Sequence, residues 1–144
     1  MEMRKIDHRG FTLVEILIVV AIIVTVAAIA IPNLVRARIN ANEASAVASL
    51  KTLTSAAEAF RMAQMPARFP GNLSEMSGTE PPFIDVVLAS GNKSGYSFAW
   101  TGGTNTYSVV AAPQTLNVTG VREFFLDQSG VIRVGNTSSG VPIE

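Results

Sequence analysis

A single carboxylate, Glu15, stands in a run of 21 residues, 11–31 (FTLVEILIVVAIIVTVAAIAI), that holds no other charge. A charge at the centre of a membrane helix costs about 2.5–3.5 kcal/mol, and less near an interface. A residue that carries such a cost signals a function, or else it turns back to the headgroups, which lie within reach of a side chain five residues from a charged leader. Little else in the chain invites chemistry. There is no cysteine, so disulfides, thiolate catalysis and Cys-based metal sites are excluded. The one histidine, His8, lies in the charged N-terminal segment. If that segment is removed, the commonest general base and the commonest metal ligand go with it. An enzyme would have to work with carboxylates, Lys, Tyr or Ser alone. The net charge is zero and only 15% of residues are charged, so nothing draws the chain to nucleic acid.

The elements that must position Glu15 follow from the pattern around it. Residues 1–10 (MEMRKIDHRG) are too short and too charged to pack, and they read as a leader. As a helix, residues 11–31 would reach roughly 31 Å, about the hydrocarbon thickness of a bilayer. A helix apolar on every side would find too little protein to cover it in a domain of this size. Arg4, Lys5 and Arg9 precede the run while Arg36 and Arg38 follow it, which favours a cytoplasmic N-terminus only weakly. Pro32 interrupts the pattern, yet residues 33–64 resume it without Gly or Pro. Ile39, Ala46, Leu50, Leu53, Ala57 and Phe60 recur at helical spacing as one apolar stripe, with Arg36, Glu43, Lys51, Glu58 and Arg61 assigned largely off it. The pattern predicts one long helix, from 11 to about 64, kinked or locally unwound near Pro32. Its first half lies in lipid and its second half has one face that needs cover.

Residues 65–94 lose periodicity among prolines and glycines, with a short helix expected over Phe83–Ala89. Strand-like pieces follow at Tyr96–Trp100, Thr106–Ala112, Arg122–Leu126 and Val131–Val134, with natural turns at Thr101–Asn105 and Asp127–Gly130. Phe124 and Leu126 should share one face and Phe125 the other. An antiparallel sheet of three or four strands would bury the stripe of residues 39–60, giving an α+β class with helix first and strands last. Tyr96, Trp100 and Tyr107 read as sheet packing. Asn72, Asn92, Asn117 and Asn136 begin Asn-x-Ser/Thr triplets, read as chance in a surface rich in these residues.

The junction Arg9-Gly10-Phe11-Thr12-Leu13-Val14-Glu15, followed by the apolar run, resembles the class III signal of type IV pilins and of the pseudopilins of type II secretion systems. The likeness covers roughly residues 4–45, including Pro32 and the Ala-rich amphipathic helix. It implies that a prepilin peptidase on the cytoplasmic face cuts between Gly10 and Phe11, where glycine lets a protease approach the backbone, and that the new amine of Phe11 is methylated. It implies that Glu15 pairs with the terminal amine of a neighbouring subunit, satisfying two costly charges together and fixing axial register. The expected organisation is a leader (1–10), a membrane and assembly helix (11–31) and a globular head (32–144). The implied function is a structural filament subunit, not an enzyme, without cofactor or metal. It would sit in the bacterial inner membrane before assembly and in a surface or periplasmic filament afterwards. Its implied partners are copies of itself and related pilins, the peptidase, an inner-membrane assembly platform and membrane lipid.

Other readings stay open. The chain departs from major pseudopilins, which carry an Asp-Pro-Trp-Gly stretch and an acidic calcium loop, and Asp127 alone cannot hold a cation that wants six to eight oxygens. That departure favours a pilus subunit over a secretion pseudopilin. A monomeric membrane-anchored binding module is a third possibility. Ala28-Ile29-Ala30 fits an ordinary secretory cleavage site, although Glu15 would then interrupt its apolar region.

Overall fold

The computed structural model describes residues 10–143, so positions 1–9 of the expected leader lie outside it. The chain divides into two compact units after Arg36. The main helix, α1, is Leu13–Ala63 and contains Pro32. Helical geometry continues through Pro32, so the local unwinding weighed from sequence is absent among the described residues. Proline leaves the Ala28 carbonyl without its usual amide, and the helix continues past that loss. α1 stops just before Met65-Pro66, where the ring of Pro66 excludes helical geometry for the residue before it.

In the second unit, two short helices and a sheet follow. α2 (Leu73–Ser77) starts at Asn72, whose side chain accepts from the Glu75 amide at 2.9 Å. This triplet asparagine is therefore a helix cap. α3 (Val86–Ala89) is capped in the same way by Asp85, on the Leu88 amide. The sheet is a simple antiparallel meander of six strands: β1 (Asn92–Lys93), β2 (Tyr96–Gly102), β3 (Tyr107–Pro113), β4 (Phe124–Asp127), β5 (Arg133–Val134) and β6 (Val141–Pro142). Sequence predicts the four inner pieces. α2 and the two-residue edge strands carry too few residues to show a period.

The core lies between the inner face of the sheet and the later turns of α1. Ala46, Leu50, Leu53, Ala57 and Phe60 are buried, as the stripe requires. They meet Tyr96, Phe98, Val109, Ala111, Phe124 and Leu126, which alternate with outward-facing residues as period two demands. Register fits sizes: Ala111 sits opposite Phe98 on one side and Phe124 on the other, so a small residue makes room for two rings. Trp100 stacks on Tyr107 at 4.9 Å and donates its indole N–H to the Pro70 carbonyl at 2.8 Å, fastening the loop before α2 to the sheet.

The assignment of Glu43 to the polar face is wrong. Glu43 is 4% exposed. It occupies the stripe itself, since 43, 46, 50, 53, 57 and 60 alternate steps of three and four. Its Oε1 accepts the amides of Val121 (3.0 Å) and Arg122 (3.1 Å), and its Oε2 accepts Nε (2.7 Å) and Nη2 (2.6 Å) of Arg122. One carboxylate thus ties the loop before β4 to α1. Next to it Asn42 donates to the Thr119 carbonyl at 2.9 Å. Gly120 lies against the Tyr96 ring, where any Cβ would collide with the phenol. The Tyr96 hydroxyl donates to the Arg122 carbonyl at 2.8 Å. Burial would raise the Glu43 carboxyl, but the Val121 amide, the Arg122 side chain and the Arg122 amide outweigh it and hold the group below its ordinary range.

The same arrangement acts on the tyrosines. Burial, helped by the Glu43 charge and opposed by Arg122, pushes the Tyr96 phenol up to about 12. Burial also raises Tyr107, the only other tyrosine. A phenol whose folded value is raised adds stability that is complete below its unfolded value, near 10, and is lost as pH rises through the folded one. An alkaline titration followed by tyrosinate absorbance and circular dichroism together should show both phenols ionising above the ordinary value, Tyr96 at about 12, if the fold persists that far. A tyrosine titrating reversibly at or below the ordinary value in folded protein would contradict this packing.

Candidate functional site

The first unit is the N-terminal part of α1 with the residues that lead into it. The apolar side chains here are exposed all round, from Phe11 (84%) through Ile22 (59%) to Ile31 (60%). The segment is long and apolar enough to cross a membrane, and none of its most apolar window is buried. Gly10 is exposed, with open space where a side chain would stand.

Glu15 lies in the first turn of α1. Its Oε2 accepts both the Thr12 amide and the Thr12 hydroxyl at 2.8 Å, and the Thr12 Oγ1 accepts the Glu15 amide at 3.2 Å. This is a capping box, in which the residue before the helix and the third residue within it satisfy each other's amides. An acidic group also suits the positive end of a helix dipole. The second oxygen, Oε1, accepts no hydrogen bond among the described residues and faces no cation of its own chain there. Among the described residues the site is thus a carboxylate with one oxygen held and one without a partner, at the start of an exposed apolar helix. The structure brings Thr12 and Glu15 together. Gly10 and Phe11 stand just before the helix begins.

Sequence reasoning assigned Glu15 a role and gave Thr12 none, although Thr-x-x-Glu ahead of an apolar run is a readable cap signature. Thr12→Val should loosen the first turn by about 1 kcal/mol and free the carboxylate to wander, while Thr12→Ser keeps both bonds. Protection of the Glu15 amide against hydrogen exchange is expected to fall several-fold in the valine variant and to recover in the serine variant. Equal protection in all three would remove Thr12 from the site.

Residues 6–31 match the prokaryotic N-terminal methylation motif. The chain is pilin-like. Over 53 residues, 37% of the chain and 24% of the relative, it is 47% identical to the type IV major pilin protein PilA of Myxococcus xanthus. Over 96 residues, 65% of either protein, it is 33% identical to the type II secretion system core protein G of Escherichia coli. Over 56 residues, 39% of the chain and 43% of the relative, it is 44% identical to the type IV wide pilus major component PilA4 of Thermus thermophilus. The chain therefore spans from a quarter to about two thirds of the length of these relatives. No solved structure matches it. The pilin-like N-terminus lies on an α+β frame of the expected kind, a long helix followed by a small antiparallel sheet.

Proposed function

We propose that this pilin-like chain is the structural subunit of a type IV pilus-like filament, held in the bacterial inner membrane by the first half of α1 with the N-terminus cytoplasmic, and then packed helix against helix in the fibre. The observation that carries this reading is Glu15, with Oε1 unclaimed by any described residue, at the head of a helix whose most apolar window none of the described residues buries. In this reading a prepilin peptidase removes residues 1–10, and the methylated amine of Phe11 in one subunit meets Glu15 of its neighbour. Methylation leaves the amine protonated, so the pair remains ionic. Apolar contacts between helices replace lipid contacts with little net gain, and the ion pair supplies register more than bulk stability. Pro32 is the point at which α1 would bend to suit that packing. An assembly ATPase elsewhere must supply the work, since the chain has no nucleotide motif.

The second reading is a type II secretion pseudopilin. It is supported by the likeness to the secretion core protein G, which reaches beyond the N-terminal helix into the head. In both readings the chain is a building element and not an enzyme. Intact mass and N-terminal sequencing of the mature protein test the shared part: a methylated Phe11 is expected, and Ile31 as the first residue would overturn it. Val20→Cys in this cysteine-free chain should give crosslinked ladders. Monomer alone would favour a membrane-anchored binding module. A retraction ATPase encoded beside the chain would favour the pilus, and a secretin with other pseudopilins alone would favour secretion.

A further inference from the structure

The outer face of the sheet carries a polar row that the core does not use. Thr101 on β2 pairs with Ser108 on β3, and Ser108 pairs with Asp127 on β4. Directly opposed residues share a face, and three strands at about 4.8 Å spacing lay this row over roughly 10 Å. Phe125 lies two residues before Asp127, on the same face, beside the row. The hairpin at Gly102–Gly103, Gln128 of the next turn and Ser138 of the loop before β6 close the sides, leaving an open cleft of about 400 Å³. Clefts of about 300–1,000 Å³ are the size of small-molecule sites.

The chemistry of the lining narrows the ligand. The side chains of Thr101, Thr106, Ser108, Gln128 and Ser138 make no hydrogen bond to any described residue. The cleft therefore gathers donors and acceptors with nothing of their own to bind. Its one charged lining group, Asp127, is held by the Ser129 amide (2.9 Å) and hydroxyl and by Arg133 (3.3 Å). Burial would raise its carboxyl, but these partners keep it below the ordinary range, so it stays an anion matched by a cation. No Lys or Arg lines the cleft to take a phosphate or a carboxylate. The lining is too polar for a lipid chain, and the Phe125 ring on the outer face offers an apolar patch.

We propose that this cleft is a binding site for a neutral saccharide. The hydroxyls and amide of the row would exchange hydrogen bonds with the sugar hydroxyls, and Phe125 would meet the C–H face of a pyranose ring, which the row is long enough to span. The site lies wholly in the head, and its existence does not depend on how the N-terminal helices assemble.

The test uses the full chain in micelles of a detergent without a sugar headgroup, with saturation-transfer NMR as the readout. The probes are neutral methyl glycosides of glucose, galactose and mannose, with sialic acid as an anionic comparison. At least one neutral glycoside is expected to bind with a dissociation constant of about 1–10 mM, and sialic acid at least about tenfold more weakly. Ser108→Leu fills the middle of the row and should abolish the transfer, with the circular dichroism spectrum unchanged. Thr101→Lys, at an exposed rim position, should also abolish it and serves if the leucine variant does not fold. No transfer to any neutral glycoside at tens of millimolar overturns the proposal, as does binding that survives both substitutions or binding of sialic acid as strong as that of the neutral sugars.

Discussion

Glu15→Leu protein is expected to be processed normally and to reach the membrane, yet to yield filaments at least about tenfold less well than the wild type. Leucine removes the insertion cost of the carboxylate, which is about 2.5–3.5 kcal/mol at the centre of a membrane helix and less near its end, where Glu15 stands, so the variant should sit in lipid more comfortably than the parent. A loss of assembly then cannot be blamed on failure to insert. What disappears is the carboxylate that a neighbour's terminal ammonium would meet, and with it the one feature of an otherwise uniform apolar surface that distinguishes one axial offset from another. The capping box allows a sharper experiment. Glutamine can take the place of glutamate in such a box, so Glu15→Gln keeps the bonds to Thr12 and removes only the charge. If the free oxygen works through an ion pair, Glu15→Gln should be about as defective as Glu15→Leu. If the residue acts only as a helix cap, Glu15→Gln should assemble like wild type. The yield of sheared filaments, normalised to processed subunit by mass spectrometry, separates these outcomes. Unchanged yield and helical geometry in Glu15→Leu would end the register argument altogether.

The contrast between Glu15 and Glu43 shows what the sequence makes legible. Glu15 is conspicuous because 20 uncharged residues surround it in residues 11–31. Glu43 hides because its neighbours are ordinary helix formers, and a carboxylate in an amphipathic helix is by default placed with the solvent. Its spacing to Ala46 and Leu50 puts it on the buried stripe, but spacing cannot name the partner. The amides and guanidinium that satisfy it lie 78 and 79 residues away, in a loop without period. The sheet was readable where alternation ran for four residues or more, as in Tyr107–Pro113 with Tyr107, Val109 and Ala111 turned inward. It was unreadable where strands shrink to the pairs Asn92–Lys93 and Val141–Pro142. The row Thr101–Ser108–Asp127 belongs to the same class of hidden feature, since only the register of three strands brings those residues together.

Glu43→Ala should be among the most damaging single changes in the head. It leaves the amides of Val121 and Arg122 without their acceptor and the Arg122 guanidinium without its counter-ion. Removing one partner of a buried pair costs about 3–5 kcal/mol. Arg122 is 54% exposed at its side chain and can recover water, which lowers the expected loss to about 2–4 kcal/mol. For a unit of about 100 residues that is a fall of roughly 10–20 °C in the thermal midpoint. Glu43→Gln retains an acceptor for the two amides and should lose about half as much. The pH dependence has a definite sign. The Glu43 carboxyl titrates below its ordinary value when folded, so its contribution is complete above the unfolded value, near 4.3, and is lost as pH falls through the folded one. The gap in midpoint between wild type and Glu43→Gln should therefore be widest near neutrality and close on acidification. Asp127, also lowered, adds the same slope to both proteins and cancels from the difference. Thermal melts at pH 7 and pH 3 decide the matter. A gap that widens in acid, or a Glu43→Ala protein within about 0.5 kcal/mol of wild type at pH 7, would mean that the loop before β4 is held by Asn42, Gly120 and Tyr96 without help from the carboxylate.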